Sequence, residues 1–366
     1  MVWVLHPVRE FARHAPAWDR LADACDAPPF LRANFIVPLL AEFACGKEKL
    51  AVCSETGELK AMTLVKPRSR GVWETFQPSQ LPVGPWLMPR TENFVALTKS
   101  LLRSLPAPAF HLGLTQLDSG LIARPMDSGR IRTLDYIHTA WVPVEGPFDA
   151  YWQSRGKNLR ANLRKQRRKL ETVGISTRFE TLTRREDVRT VIESYGRLES
   201  AGWKAALGTA IHPDNAQGRF YRTMLENFAD AGAARMYRYW FDDRLVAVNL
   251  GIECRGTLVI LKTTYDEAAK TLSPASLLCE EMFRTIFDEG RIHRVEFFGK
   301  LMSWHSQWTK ESRPLFHVNC YRWAWMPRMR ALLRRSNPTS EQPNPAIAAG
   351  NSASTLPAGE TVETAD

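Results

Sequence analysis

No stretch of this 366-residue chain approaches the roughly 18 consecutive apolar residues of a membrane span. The opening residues, MVWVLHPVREFARH, meet a proline and an arginine before an apolar leader core can form, so a cytoplasmic protein is expected. There is no C-x-x-C pair. The six cysteines (Cys25, Cys45, Cys53, Cys254, Cys279, Cys320) are scattered, and no Cys/His cluster has zinc spacing, so neither a metal site nor a disulfide framework is signalled. Reduced, mostly buried thiols are the expectation. Past Arg335 the chain has no Lys or Arg and few large apolar residues. It cannot offset its ordering entropy there, and residues 331–366 are read as a disordered tail.

The rest has ordinary globular composition, 44% hydrophobic and 24% charged, and the length suits two units that each bury a core. The net charge is +10, and the acids after Arg335 face no nearby cation, so the body is more cationic still. Such a field favours an anionic partner: a phosphate-rich cofactor, a nucleic acid or an acidic lipid surface.

Along the first half, residues 2–5 read as a strand and the spacing of Trp18, Leu21, Ala22 and Cys25 as one face of a helix. A helix over 31–45, strands near 50–53, 60–65 and 72–76, a helix over 92–102 and strands near 110–114 and 132–142 complete an α+β unit. Residues 148–173 read as one long helix ending at Gly174. Its run of Lys157, Arg160, Arg164, Lys165, Arg167, Arg168 and Lys169 is unbroken by an acid until Glu171, and Leu159, Leu163 and Leu170 form a narrow apolar seam. The seam predicts packing against the body. The cationic remainder is either a solvated face or a surface for RNA, CoA phosphates or anionic lipid. The second half then reads as a strand, two helices, three antiparallel strands (234–241, 245–253, 257–265), a helix over 274–289 and strands near 295–298 and 316–323.

The segment that bears on chemistry is TLVILKTTYDEAAKTLSPASLLCEEMFRTIFDEG, Thr257–Gly290. Ser273 is placed as N-cap, Pro274 as the first helical residue, and Gly290 as the stop. A strand that feeds a loop and then a helix N-terminus offers free backbone N–H groups and a positive dipole end, which suit a phosphate or pyrophosphate.

This order of elements resembles the GNAT acyltransferase fold, and several motifs resemble its CelD-type, FemAB-like branch. They are the basic helix NLRANLRKQRRKLETVG, Glu199-Ser200-Ala201-Gly202-Trp203-Lys204, Tyr265-Asp266, Leu272-Ser273-Pro274-Ala275, Phe297-Phe298-Gly299, and Trp308 before the last strand. The likeness covers residues 148–324 closely and the first half more loosely. It implies an α/β (α+β) protein of tandem GNAT-like lobes, each a mixed, mostly antiparallel sheet flanked by helices. The expected division is a degenerate N-terminal lobe over 1–145, an acyltransferase lobe over 146–330 and the tail over 331–366.

The resemblance further implies transfer of an acyl group, expected to be acetyl, from acyl-CoA to an amine or hydroxyl of a sugar, lipid precursor or small metabolite, without a metal. Leu272, Ser273, Pro274, Ala275, Ser276 and Leu277 would hold the cofactor. Asp266 would orient or deprotonate the acceptor, Tyr265 or His305 would protonate the leaving group, and Lys204 would bind an acidic group of the acceptor. Two positions depart from the branch: Ala275 replaces a usual glycine, and Trp304-His305-Ser306-Gln307-Trp308 has histidine where Tyr-Lys-x-x-Trp has lysine. His305 is expected as a general acid or base near neutral pH. The alternatives are a FemAB-like transferase that takes its acyl group from aminoacyl-tRNA, and a non-catalytic module held to nucleic acid or membrane by the basic helix over 157–169.

Overall fold

The computed structural model describes residues 1–201, 211–327 and 329, which form two units. Among the described residues, the first is Met1–Thr139 with those from Arg313 onward, and the second is Ala140–Ser312. Lys204 and the tail over 331–366 lie outside the described residues.

The first unit runs β1 (Val2–Pro7), α1 (Phe11–Ala24), α2 (Ala33–Phe43), β2 (Lys49–Glu55), β3 (Glu58–Ser69), β4 (Val72–Thr75), β5 (Trp86–Leu87), α3 (Phe94–Ser104), β6 (His111–Asp118) and most of β7 (Ile131–Pro143). Strands β1 to β4 pair antiparallel in succession, and β4 pairs parallel with β6. The predicted helix face is buried at Trp18, Leu21 and Ala22, and the Trp18 indole donates to the Leu31 carbonyl at 2.6 Å. Helix α3 starts where Asn93 accepts the Ala96 N–H at 2.9 Å, and it lays Leu97 and Leu101 on a core with Trp3, Leu112, Leu114 and Phe316.

The second unit runs α4 (Phe148–Gln153), α5 (Lys157–Thr172), β8 (Thr177–Leu182), α6 (Arg185–Ala201), α7 (Ala216–Asp230), β9 (Ala234–Phe241), β10 (Arg244–Cys254), β11 (Thr257–Tyr265), α8 (Pro274–Glu289), β12 (Arg294–Glu296) and α9 (His305–Trp308). The three predicted strands are antiparallel neighbours, with β8 outside β9; β12 lies parallel to β11 and antiparallel to the end of β7. Both units thus follow the order strand, two helices, three antiparallel strands, helix, and a strand parallel to the third of those strands, with the short β5 added before the helix in the first unit.

Two expectations change. The single helix over 148–173 is two helices, because Gly156 takes an extended backbone (ψ 137°) as N-cap of α5 and the Arg155 guanidinium turns to the Trp308 carbonyl. The last strand, β13 (Ser312–Tyr321), read from sequence as part of the second lobe, pairs with β6 of the first unit. Arg313 fixes that pairing with two bonds to the Asp118 carboxylate, at 2.7 and 2.8 Å. Four cysteines are buried, as the scattered thiols predict, and all six are free.

Candidate active site

The parallel pairing of β11 with β12 lasts three residues, from Thr257 opposite Arg294 to Val259 opposite Glu296. Strand β11 then runs on to Tyr265, paired with β10 on its other side, and the Tyr195 hydroxyl donates to the Thr263 carbonyl at 3.1 Å. A bulge places Leu250 opposite Lys262 and Gly251 opposite Ile260, leaving Leu261 as the extra residue. Among the described residues no strand lies against Ile260–Tyr265 on the β12 side. The result is an opened pair of strands, and β11 leads on to the Ser273 helix.

Asp266 follows that edge. Its Oδ1 accepts the Ala268 N–H at 3.0 Å, capping the 3₁₀ turn Glu267–Leu272, and its Oδ2 accepts the Arg244 guanidinium at 2.7 Å. Both oxygens therefore hold structure, one capping the turn and the other pairing with Arg244. Ser273 sits at the N-cap position of α8, but its backbone is left-handed (φ 54°, ψ 47°) and its hydroxyl makes no capping bond. Instead its carbonyl accepts both the Ser276 and the Leu277 N–H, at 3.1 and 3.0 Å, and its own N–H donates to Lys270. Of the first-turn amides, that of Ala275 is the one these bonds do not use. The Ala275 methyl packs into the core, in one buried cluster with Leu277, Leu278, Trp304 and Trp308. Tyr265, Leu272 and Phe297 pack against the same cluster. The structure thus gathers Tyr265, Leu272–Leu277 and Trp304–Trp308 around one core.

His305 is fully buried, stacked on Trp304 with ring centroids 3.6 Å apart. Its Nδ1 accepts the Met302 N–H at 2.9 Å, which places the ring proton on Nε2. That Nε2 has no hydrogen-bond partner. Burial pushes its pKa down to about 4. The expected titration near neutral pH is thereby lost: His305 is a neutral N–H donor, suited to a developing negative charge rather than to proton shuttling. Tyr265 is half-buried, and burial, then Glu267, raises its pKa, so it keeps its proton. Glu199 is buried within its unit, accepting the Ile211 N–H at 2.7 Å.

Sequence reasoning passed over two features. Glu296 is a buried carboxylate at the last paired position of β12, beside Arg294 at 2.6 Å; the one acid in the apolar run Val295-Glu296-Phe297-Phe298 was its signal. Arg167 ties the basic helix to α8 through Glu280 and Glu281, at 2.8 and 2.7 Å, while Leu159, Leu163 and Leu170 bury the predicted seam. On the opposite face Lys157, Arg164, Lys165, Arg168 and Lys169 are exposed. None of the five forms an ion pair with a described residue.

Comparison with known proteins gives this arrangement its class. Residues 157–311, all within the second unit, match the family "Acetyltransferase (GNAT) domain". No curated protein matches the sequence. Among solved structures, the C-terminal domain of a putative lysylphosphatidylglycerol synthetase from Agrobacterium fabrum aligns over 88% of this chain and 97% of its own, with 14% identity and a TM-score of 0.55. L-PGS from Bacillus licheniformis aligns over 87% and 96%, with 14% identity and a TM-score of 0.52. The chain has the fold of the GNAT superfamily of acyltransferases. Within that superfamily its fold is FemAB-like: FemX aligns over 86% of this chain and 98% of its own, at 8% identity and a TM-score of 0.52. No helix among the described residues is long and apolar enough to cross a membrane.

Proposed function

We propose that the second unit is an acyltransferase that moves an acyl group, acetyl or longer, from acyl-CoA to an amine or hydroxyl of a sugar, lipid precursor or small metabolite in the cytoplasm. The observation that carries this reading is the opened β11–β12 pair leading into the Ser273 helix, which offers a slot for an extended thioester arm and a helix N-terminus for its pyrophosphate. In this reading Leu272–Leu277 hold the donor, with the Ala275 amide and the α8 dipole facing phosphate. As the acceptor nitrogen or oxygen attacks the thioester carbon, His305 Nε2–H donates to the oxyanion of the tetrahedral intermediate; as the C–S bond breaks, Tyr265 O–H protonates the departing sulfur and is restored by the proton that the acceptor loses. Asp266 positions the turn, and Lys204 remains the candidate for an acidic group on the acceptor.

Isothermal titration with acetyl-CoA and a long-chain acyl-CoA tests the donor, repeated with Ser273→Asp. Aspartate tolerates the left-handed backbone, so the variant places a negative charge at the site without breaking the turn. Micromolar binding lost in the variant supports the reading; failure of both thioesters to bind overturns it.

A second donor, aminoacyl-tRNA, is favoured by the five exposed cations of α5, which form no ion pair among the described residues, on a helix anchored directly to α8 through Arg167. Retention on RNA would then fall steeply with salt. Replacing Arg164, Lys165, Arg168 and Lys169 by serine would lower the magnitude of the slope of log K against log salt by up to about 3.6, at ~0.7–0.9 for each lost phosphate contact. RNA binding that survives this replacement argues against the second donor. RNA or anionic-vesicle binding without any transfer would mark the chain as a non-catalytic module.

A further inference from the structure

We propose that His6, Glu10 and His14 form a binding site for one divalent transition-metal ion of the zinc class, in the first unit and apart from the acyl-transfer site. His6 lies at the end of β1, Glu10 ends the 3₁₀ turn Val8–Glu10, and His14 is in the first turn of α1. The turn joins strand to helix so that residues four apart fall on one side. Each of the three offers one ligand atom, and these atoms lie within 4.8 Å of one another. His6 Nδ1 is 3.6 Å from Glu10 Oε2, and the two imidazole rings are 4.2 Å apart at 44°.

An ion with tetrahedral bonds of ~2.0–2.1 Å keeps its ligand atoms about 3.4 Å apart. The His6–Glu10 pair is therefore already near bonding separation, and small rotations of the side chains bring in His14. The frame beneath is fixed. Val8 and Phe11, between the ligands, are buried, and the Val8 N–H donates to the Glu48 carbonyl at 3.3 Å. His6 and Glu10 are about a quarter to a third exposed, which leaves the fourth position open to water. Two imidazoles and one carboxylate suit zinc-class ions and not the all-oxygen preference of calcium or magnesium. Arg9 and Arg13, exposed on either side, oppose a cation, and the Glu10 carboxylate offsets part of that repulsion. A search for cysteine and histidine spacing alone passes over this set, because one ligand is a carboxylate and the geometry depends on the turn.

The test is titration of the full chain, free of any affinity tag, with zinc chloride and separately magnesium chloride. The expected result is one zinc per chain, a raised melting temperature and no magnesium binding, with affinity at least tenfold weaker in both His14→Ala and Glu10→Gln. Circular dichroism of the apo variants confirms that they fold. Cobalt(II) loading distinguishes the ligands: weak d–d bands without thiolate charge transfer support the site. A thiolate band, which would implicate the exposed Cys45, overturns the proposal, as does zinc binding that is absent or unchanged in the variants.

Discussion

The two units treat the same structural opportunity differently. In each, a strand pairs with a parallel neighbour for three residues and the pairing then ends: β4 with β6 at Glu74 opposite Gly113, β11 with β12 at Val259 opposite Glu296. In the first unit the gap is closed by the chain itself. The Thr75 and Thr115 hydroxyls meet at 2.6 Å, Gln77 reaches Gln116 at 2.8 Å, and the Gly84 N–H donates to the Gln116 carbonyl at 3.1 Å. Phe76, Leu81, Val83 and Trp86 are buried around that closure. In the second unit β11 continues past Val259 to Tyr265, and among the described residues no strand pairs with it on the β12 side. One copy of the order fills its gap with core and hydrogen bonds; the other ends its parallel pairing where we propose that the donor binds.

The largest effect that would sharpen this comparison comes from Trp308→Ala. Trp308 is fully buried against Phe283 and Trp152, and Tyr151 donates to its carbonyl at 2.9 Å. Chemical denaturation should show a loss of about 3–5 kcal/mol, with tryptophan-independent probes placing the loss in the second unit.

Next in size is a pH effect. His305 has its pKa lowered to about 4 by burial, so the unfolded chain binds more protons between about pH 6.5 and 4. Its contribution is fully present above pH 6.5, declines on acidification through that window and flattens below it; the total is ~3 kcal/mol at most. His317 in the first unit is lowered to about 4 by the same cause. His305→Gln should therefore remove only part of the acid sensitivity, read as midpoint shifts in denaturant at pH 7 and pH 4.5. An unchanged pH dependence would show that His305 is not buried neutral.

A smaller effect belongs to Gly84→Ala. A Cβ there would lie 2.3 Å from the Thr115 carbonyl oxygen, so the closed gap must loosen. A cost of about 1–3 kcal/mol is expected, with acyl-CoA binding unchanged. Lost binding would break the assignment of the ligand edge to the second unit.

Much of this was legible in sequence. The alternation of Ala234–Tyr265 and its two turns specified three antiparallel strands, and Pro274 and Gly290 bounded the helix that follows. The Leu159, Leu163 and Leu170 seam foretold which side of α5 is buried. The break at Gly156 was obscured because charge and leucine spacing continue through it. The partner of β13 depends on Arg313 meeting Asp118, a contact 195 residues apart that no local pattern encodes. At the site, the residue types were visible, but the tautomer and neutrality of His305 depend on a backbone N–H three residues away and on burial.

The left-handed backbone of Ser273 makes one position report two quantities with opposite signs. Glycine adopts that conformation without the ~1–2 kcal/mol that chirality imposes on other residues, and the Ser273 hydroxyl makes no cap that would be lost. Ser273→Gly should thus raise the melting temperature. If the same variant binds the donor more weakly, the hydroxyl is a ligand contact held in place at the expense of stability, and the ratio of the two changes measures how far the fold has been bent toward its substrate.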